Sequence, residues 1–105
     1  MPRGYEVERK SVKPGDLVLP KNSRVVALDE RGKDLTTTQF ARLLNEETVF
    51  VIGGPDGLDA GVKKSAALLL RLSSLTLPHA LAQVVLLEQI YRAATLLTGH
   101  PYHRA

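Results

Sequence analysis

The sequence contains no cysteine. Disulfides and thiolate metal sites are therefore excluded, and the composition fits a reducing compartment. The N-terminus has no apolar core of the kind that marks a signal peptide. No apolar run approaches the roughly 20 residues that a membrane-spanning helix needs. We therefore expect a cytoplasmic protein that does not enter a membrane.

A dense block of one charge sign is also missing. The formal net charge is +3, which permits binding to nucleic acid without requiring it. The three histidines, His79, His100 and His103, do not form a convincing set of metal ligands in a chain without cysteine, so we expect no metal site. With 105 residues, of which 44% are hydrophobic, the chain is expected to form one domain over residues 1–105.

Two apolar segments separated by a helical pattern predict a βαβ unit. Residues 24–29 and 49–52 are short and rich in β-branched side chains, as buried strands are. Between them, Thr36 and Gln39 have the spacing of a capping box, and apolar residues follow at helical spacing. A strand–helix–strand series of this length implies parallel strands.

Weaker patterns flank this unit. Residues 5–10 alternate between apolar and polar side chains and predict a strand at the sheet edge. Residues 14–16 predict a turn, and residues 29–34 predict a polar loop. Asp59 is expected to cap a second helix, and the leucine-rich residues 68–72 favour a further buried strand before the polar pair Ser73 and Ser74.

The longest predicted element is a helix over about residues 78–98, which begins at a proline and ends before Gly99. Its apolar face is broad, so it should be covered on more than one side. In a chain this small, a partner subunit is a natural source of the second surface. Glu88 and Arg92 have the spacing of an ion pair within the helix.

Glycines follow the second predicted strand, in the segment Gly53-Gly54-Pro55-Asp56-Gly57. In open α/β sheets, ligands bind at the carboxyl ends of strands, and glycines let them approach the main chain closely. The plainer interpretation is a tight turn that only joins a strand to a helix. The segment matches neither the dinucleotide-binding glycine motif nor the phosphate-binding lysine motif, which argues against a nucleotide-binding domain.

Three segments together carry a resemblance to a known family. In order, they read VIGGPDGL, LSSLTLPHALAQVVLLEQIYRA and HPYHRA. This combination resembles the ribosomal RNA large subunit methyltransferase H family of the SPOUT superfamily, over about residues 24–104. The resemblance implies an α/β fold, with a parallel sheet flanked by helices and a C-terminal trefoil knot. It also implies an enzyme that works as a homodimer.

The implied reaction is methylation of N3 of a pseudouridine in 23S ribosomal RNA, with S-adenosylmethionine as the methyl donor. Family members usually have a longer segment before the first matching strand. We therefore expect residues 24–105 to form the family-like core and residues 1–23 to be a variable segment. The sheet should then lack part of the usual N-terminal strand–helix unit, with residues 5–10 as its remaining edge strand.

The resemblance also assigns residues to the site. By similarity, the methyl donor contacts Leu28, Gly54, Leu72, Ser73, Ser74, Leu75, Thr76 and Leu77. The reaction must remove the N3 proton, so a base or a cation that stabilises the resulting anion would help. The catalytic candidates are His79, Tyr102, His103 and Arg104.

Other interpretations stay open at this point. His79 would serve only as a helix cap if it had no catalytic role, and the tail would be a disordered end. The chain as a whole would be a non-catalytic SPOUT relative if it bound S-adenosylmethionine or ribosomal RNA without transferring a methyl group.

Overall fold

The computed structural model describes residues 4–12, 17–19, 21–53, 58–99 and 102. In chain order, these residues form β1 (Arg24–Lys33), α1 (Thr37–Arg42), a 3₁₀ turn (Leu43–Asn45), β2 (Thr48–Ile52), α2 (Ala60–Ser65), β3 (Leu68–Leu70) and α3 (His79–Thr98). The three strands make one sheet in the order β2-β1-β3.

Both strand pairings are parallel, which confirms the predicted α/β fold with a parallel sheet flanked by helices. β1 is the central strand, and Val26 pairs with Phe50 on one side and with Leu68 on the other. Val26 and Ala27 are fully buried. Burial of both faces explains why this strand is a continuous apolar run rather than an alternating one.

The predicted edge strand over residues 5–10 is wrong. The described residues 5–12 form no helix or strand and are mostly exposed, and Val7 and Val12 are each more than 40% exposed. The alternating segment has only two apolar side chains, Tyr5 and Val7. That is too little apolar surface to offset the entropy of ordering an edge strand. The turn predicted at residues 14–16 lies outside the described residues.

β1 is longer than the sequence suggests, because the predicted polar loop over residues 29–34 is wrong except at its last residue. The strand continues to Lys33, with a shift of register against β3 between Leu28 and Lys33. Gly32 makes this possible. A Cβ atom there would lie 2.6 Å from the carbonyl carbon and oxygen of Leu69, so the two backbones approach too closely for any side chain.

The capping box at the start of α1 is confirmed. The Thr36 hydroxyl accepts from the Gln39 amide at 3.2 Å, and the Gln39 side chain accepts from the Thr36 amide at 2.9 Å. This start places Phe40 and Ala41 in the core. Phe40 also stacks on Phe50 of β2, with ring centroids 5.6 Å apart. Local capping and long-range packing therefore fix the same orientation of α1.

α2 and α3 also agree with their sequence signals. The Asp59 carboxylate caps α2 by accepting from the Gly61 amide. α3 ends at Gly99, which has a φ of 76°, a conformation that favours glycine. One face of α3 joins the core through Leu86, Ile90 and Ala93.

A second part of the apolar surface of α3 is exposed in the single chain. Val84 is 61% exposed, and Leu81, Leu87 and Leu97 are each at least 39% exposed. Among the described residues, one helix, α3, is long and apolar enough to cross a membrane by length and composition. The sequence analysis had expected no apolar run of that length. Core helices of soluble proteins meet the same criterion, and the core face of α3 packs in that way.

We predict that Gly32→Ala lowers the free energy of unfolding by about 1–3 kcal/mol, because its methyl group must displace the β3 backbone. The matched control is Gly61→Ala in α2, where a Cβ atom meets nothing closer than 3.6 Å. That control should stabilise the protein by about 0.5 kcal/mol through helix propensity. Urea unfolding measures both. Equal effects from the two substitutions would contradict the close approach at Gly32.

Candidate functional site

A cleft of about 490 Å³ opens at the carboxyl ends of β2 and β3 and beside residues 28–30 of β1. Leu28 pairs with Ile52 of β2 and with Leu70 of β3, so the three strands reach the cleft at the same level. The segment between β3 and α3 and the first turn of α3 form another part of its lining, together with Leu58 and Lys63. Parallel pairing in register therefore creates the site.

Six of the predicted donor-binding residues line this cleft, although they come from two distant parts of the chain. Leu28 lies in β1, and the others follow β3. Ser74 belongs to the same segment and is exposed, but it is not among the lining residues. Gly54 lies outside the described residues. The six lining residues are Leu28, Leu72, Ser73, Leu75, Thr76 and Leu77.

The segment between β3 and α3 contributes three leucines to the lining of the cleft, Leu72, Leu75 and Leu77. It has no regular secondary structure. The Ser73 hydroxyl accepts from the Leu75 amide at 3.0 Å and so forms a local turn. Leu75 is 75% exposed, which is unusual for a leucine beside a cavity. An apolar group that entered the cleft would cover this side chain.

His79 joins two sides of the cleft. Its Nδ1 lies 2.7 Å from the carbonyl oxygen of Gly53, at the end of β2. Its Nε2 lies 2.9 Å from the side-chain nitrogen of Gln83, one turn further along α3. The residue at the cap position of α3 is Pro78, and no side chain caps the helix. The interpretation of His79 as a helix cap is therefore wrong.

Tyr102 lies far from His79 in the same chain. Its ring packs edge-on against Tyr91, with centroids 4.6 Å apart, and the Arg92 guanidinium lies 5.3 Å from its centroid. Tyr91 is 12 residues beyond His79 on α3, which corresponds to about 18 Å along the helix. A single chain does not bring these two candidates together. The other two, His103 and Arg104, lie outside the described residues.

The predicted ion pair within α3 is confirmed. Arg92 Nε donates to Glu88 at 2.8 Å, and Arg92 Nη2 lies 2.7 Å from the same carboxylate oxygen. This hydrogen bond raises the pKa of Arg92 above its usual value. Arg92 thus contacts both Glu88 and the Tyr102 ring, which favours a cation–π contact of fixed geometry.

The sequence analysis missed the charged groups of the cleft: Asp29, Glu30, Lys63 and Arg71. Asp29 directly follows Leu28, and its side chain is only 9% exposed. It accepts from the backbone amide of Arg31 at 2.8 Å and pairs with Lys63 of α2 at 3.0 Å. These contacts lower the pKa of the Asp29 carboxyl, with the amide of Arg31 as the larger cause. An aspartate at the carboxyl end of an apolar strand is the signal that would have identified it.

Arg71 is held by Asp34 through two hydrogen bonds from its guanidinium to the two carboxylate oxygens. This contact lowers the pKa of Asp34 and raises that of Arg71. It fixes the residue that immediately follows β3, where the cleft begins. In the part of the chain that the structure describes, no group of three potential metal ligands occurs.

We predict that Asp29→Asn lowers the free energy of unfolding at pH 7 by about 1–2 kcal/mol, since it removes a charged acceptor from two donors. Because the pKa of Asp29 is lowered in the folded state, its carboxylate stabilises the fold at pH values above 3.8, the ordinary pKa of an aspartate side chain. That stabilisation is lost as the pH falls below 3.8 and through the folded-state pKa. Urea unfolding at several pH values measures this.

The difference in the free energy of unfolding between wild type and Asp29→Asn should therefore become smaller in acid. Lys63→Met should show the same trend. Lys64→Met is the matched control, because Lys64 makes no ion pair with another described residue. A stability difference for Asp29→Asn that is constant from neutral pH to below 3.8 would contradict a contribution from the ionised carboxylate.

Comparison with known proteins gives matches over most of the chain. The family described as "Predicted SPOUT methyltransferase" matches residues 3–103. A protein of Polynucleobacter asymbioticus is 52% identical, and the match covers 99% of this chain and 82% of that protein. A Burkholderia thailandensis protein is 56% identical over 86% of this chain and 62% of its own length. A Polynucleobacter necessarius protein is 54% identical, and the match covers 93% of this chain and 84% of that protein. Each is named ribosomal RNA large subunit methyltransferase H.

Proposed function

The chain belongs to the SPOUT methyltransferase family, and from this membership we propose that it methylates large-subunit ribosomal RNA in the cytoplasm. The proposed reaction transfers a methyl group from S-adenosylmethionine to N3 of a pseudouridine in 23S ribosomal RNA. Relatives named for methylation of that RNA cover most of the chain at 52–56% identity. The family's C-terminal trefoil knot is part of the same proposal.

One observation carries the proposed donor site. Six residues assigned to the donor by resemblance, from two distant parts of the chain, line one cleft. Its volume of about 490 Å³ suits a ligand the size of S-adenosylmethionine. The leucines offer an apolar slot for adenine, and the main chain around them offers hydrogen bonds. Gly54, the second residue of the glycine segment, completes the proposed contacts, with Ser74 beside them.

The proposed chemistry needs little more than positioning of the two reactants. The donor carries a good leaving group, so holding N3 in line with the methyl carbon supplies much of the acceleration. The N3 proton must leave, and a cation beside the resulting anion stabilises it. We assign His103 and Arg104 to holding the target nucleotide and its phosphate, and Tyr102 to stacking on a base.

A homodimer would bring the tail and the cleft together. Tyr102 packs about 18 Å along α3 from His79 of its own chain, so the tail of a second copy is the better candidate to reach the cleft. Leu81, Val84 and Leu87 form an exposed apolar stripe along α3. Such a stripe is typical of a helix that packs against a partner. We therefore propose that two copies pair through α3.

Arg104→Ala tests the proposed function. We expect it to abolish methyl transfer from labelled S-adenosylmethionine to ribosomes that lack the modification, with N3-methylpseudouridine identified by mass spectrometry. Affinity for S-adenosylmethionine should stay the same, because Arg104 is assigned to the RNA. Arg42→Ala, on the exposed surface of α1, is the matched loss of a positive charge and should keep activity. Full turnover by Arg104→Ala would remove Arg104 from the mechanism.

The wild-type protein decides between enzyme and binding protein in the same assay. Methyl transfer supports the proposal. Binding of S-adenosylmethionine without transfer to any ribosomal substrate would instead support a non-catalytic relative.

Val84→Glu tests the proposed dimer, because it places a charge in the centre of the exposed stripe. We expect the wild type to sediment as a dimer at micromolar concentration and the variant to shift to monomer with loss of methyl transfer. Val18→Glu is the matched control at an 85% exposed valine outside α3. A monomeric wild type, or a dimer that Val84→Glu leaves intact, would contradict pairing through this stripe.

A further inference from the structure

We infer that His79 is a positioning residue whose tautomer is fixed by the Gly53 carbonyl and which holds that carbonyl at the edge of the cleft. The inference rests on the proposed function, because it gives this pair a role in binding the methyl donor. Its basis is a chain of two hydrogen bonds from α3 to β2.

The first bond determines where the imidazole proton lies. The Gly53 carbonyl oxygen can only accept, so His79 Nδ1 donates to it across 2.7 Å. In the neutral ring, Nε2 is then an acceptor. Gln83 supplies the matching donor, its side-chain amide, at 2.9 Å. Both ring nitrogens are thus occupied, each in a defined role.

This arrangement is unsuited to a general base. The lone pair that would take a proton is the one on Nε2, and that lone pair already accepts from Gln83. Protonation of Nε2 would require the Gln83 amide to rotate and present its oxygen. The Nε2 lone pair is therefore engaged within α3, while Nδ1 remains the donor to the Gly53 carbonyl.

The consequence lies at Gly53. This residue directly follows β2 and starts the glycine segment, and the bond joins it to a residue 26 positions later in the chain. Gly53 has no side chain that could fix its own conformation. A hydrogen bond to its carbonyl fixes the plane of the peptide unit at that point. Gly53 and His79 both line the cleft, so the bond sets the spacing of two parts of the donor site.

Nitrogen NMR of the unliganded protein tests the tautomer directly. Long-range ¹H–¹⁵N correlation should show that the neutral ring of His79 has a protonated Nδ1 and an unprotonated Nε2. Gln83→Leu, which removes the partner of Nε2, should keep this tautomer, because the Gly53 carbonyl still requires a donor at Nδ1. An unprotonated Nδ1 in the wild type, or a change of tautomer in Gln83→Leu, would overturn the inference.

Three substitutions at His79 then separate positioning from proton transfer. The amide of asparagine occupies the place of Nδ1, and the amide of glutamine occupies the place of Nε2. We expect His79→Ala to weaken S-adenosylmethionine binding about tenfold, the effect of one hydrogen bond. His79→Asn should restore most of that affinity, whereas His79→Gln should not. Calorimetry measures the dissociation constants.

The kinetic readout distinguishes the two roles further. A positioning role predicts that His79→Ala raises KM for the donor more than it lowers kcat, and that the pH profile of kcat keeps its shape. A general base predicts a loss of roughly 10²–10⁴ in kcat in all three variants and the loss of one limb of that profile. The second result, or equal binding by wild type and His79→Ala, would overturn the inference.

Failure of the proposed function has a different signature. A wild-type protein that binds no S-adenosylmethionine would refute the donor site and, with it, the role assigned here to the pair. A wild type that binds the donor while His79→Ala binds it equally well would refute only the positioning role.

Discussion

The parallel pairing of β1 with both of its neighbours is the constraint on which the rest of the structure depends. Val26 pairs with Phe50 on one side and Leu68 on the other, and it is fully buried. A shift of β1 by one residue would break these pairings and move Leu28 away from the level of Ile52 and Leu70. The same register places Leu28, Ile52 and Leu70 at one level, which is where the cleft opens. The core and the candidate donor site thus result from one set of hydrogen bonds.

Local signals predicted those parts of the fold that local chemistry decides. The Thr36 capping box and Gly99 marked helix ends correctly, and the β-branched runs marked β1 and β2. The errors arose where a distant contact decides. β1 continues past its apolar residues because Gly32 lets the backbone of β3 approach, a contact between positions nearly 40 residues apart. Residues 5–10 have a strand-like pattern but no role in the described sheet.

In the candidate site, too, local features were predicted and contacts between distant segments were not. Resemblance to a family identified the segment from Leu72 to Leu77, most of which lines the cleft. It did not identify Asp29 and Lys63, because an ion pair between a strand end and a later helix has no signature in either segment alone. Nor did it predict that His79 would bind the main chain of Gly53, the residue after β2. Contacts of this kind are set by packing, and packing is decided by the whole sequence.

The central claim is that the cleft at the carboxyl ends of the strands binds the methyl donor. The most direct test is titration of the ¹⁵N-labelled protein with S-adenosylhomocysteine, followed by amide NMR. We predict saturable shifts concentrated at Leu28, Gly53 and residues 72–77, with small effects on α1 and on residues 5–12. Absence of saturable binding by the folded protein, or shifts concentrated away from the cleft, would contradict the account.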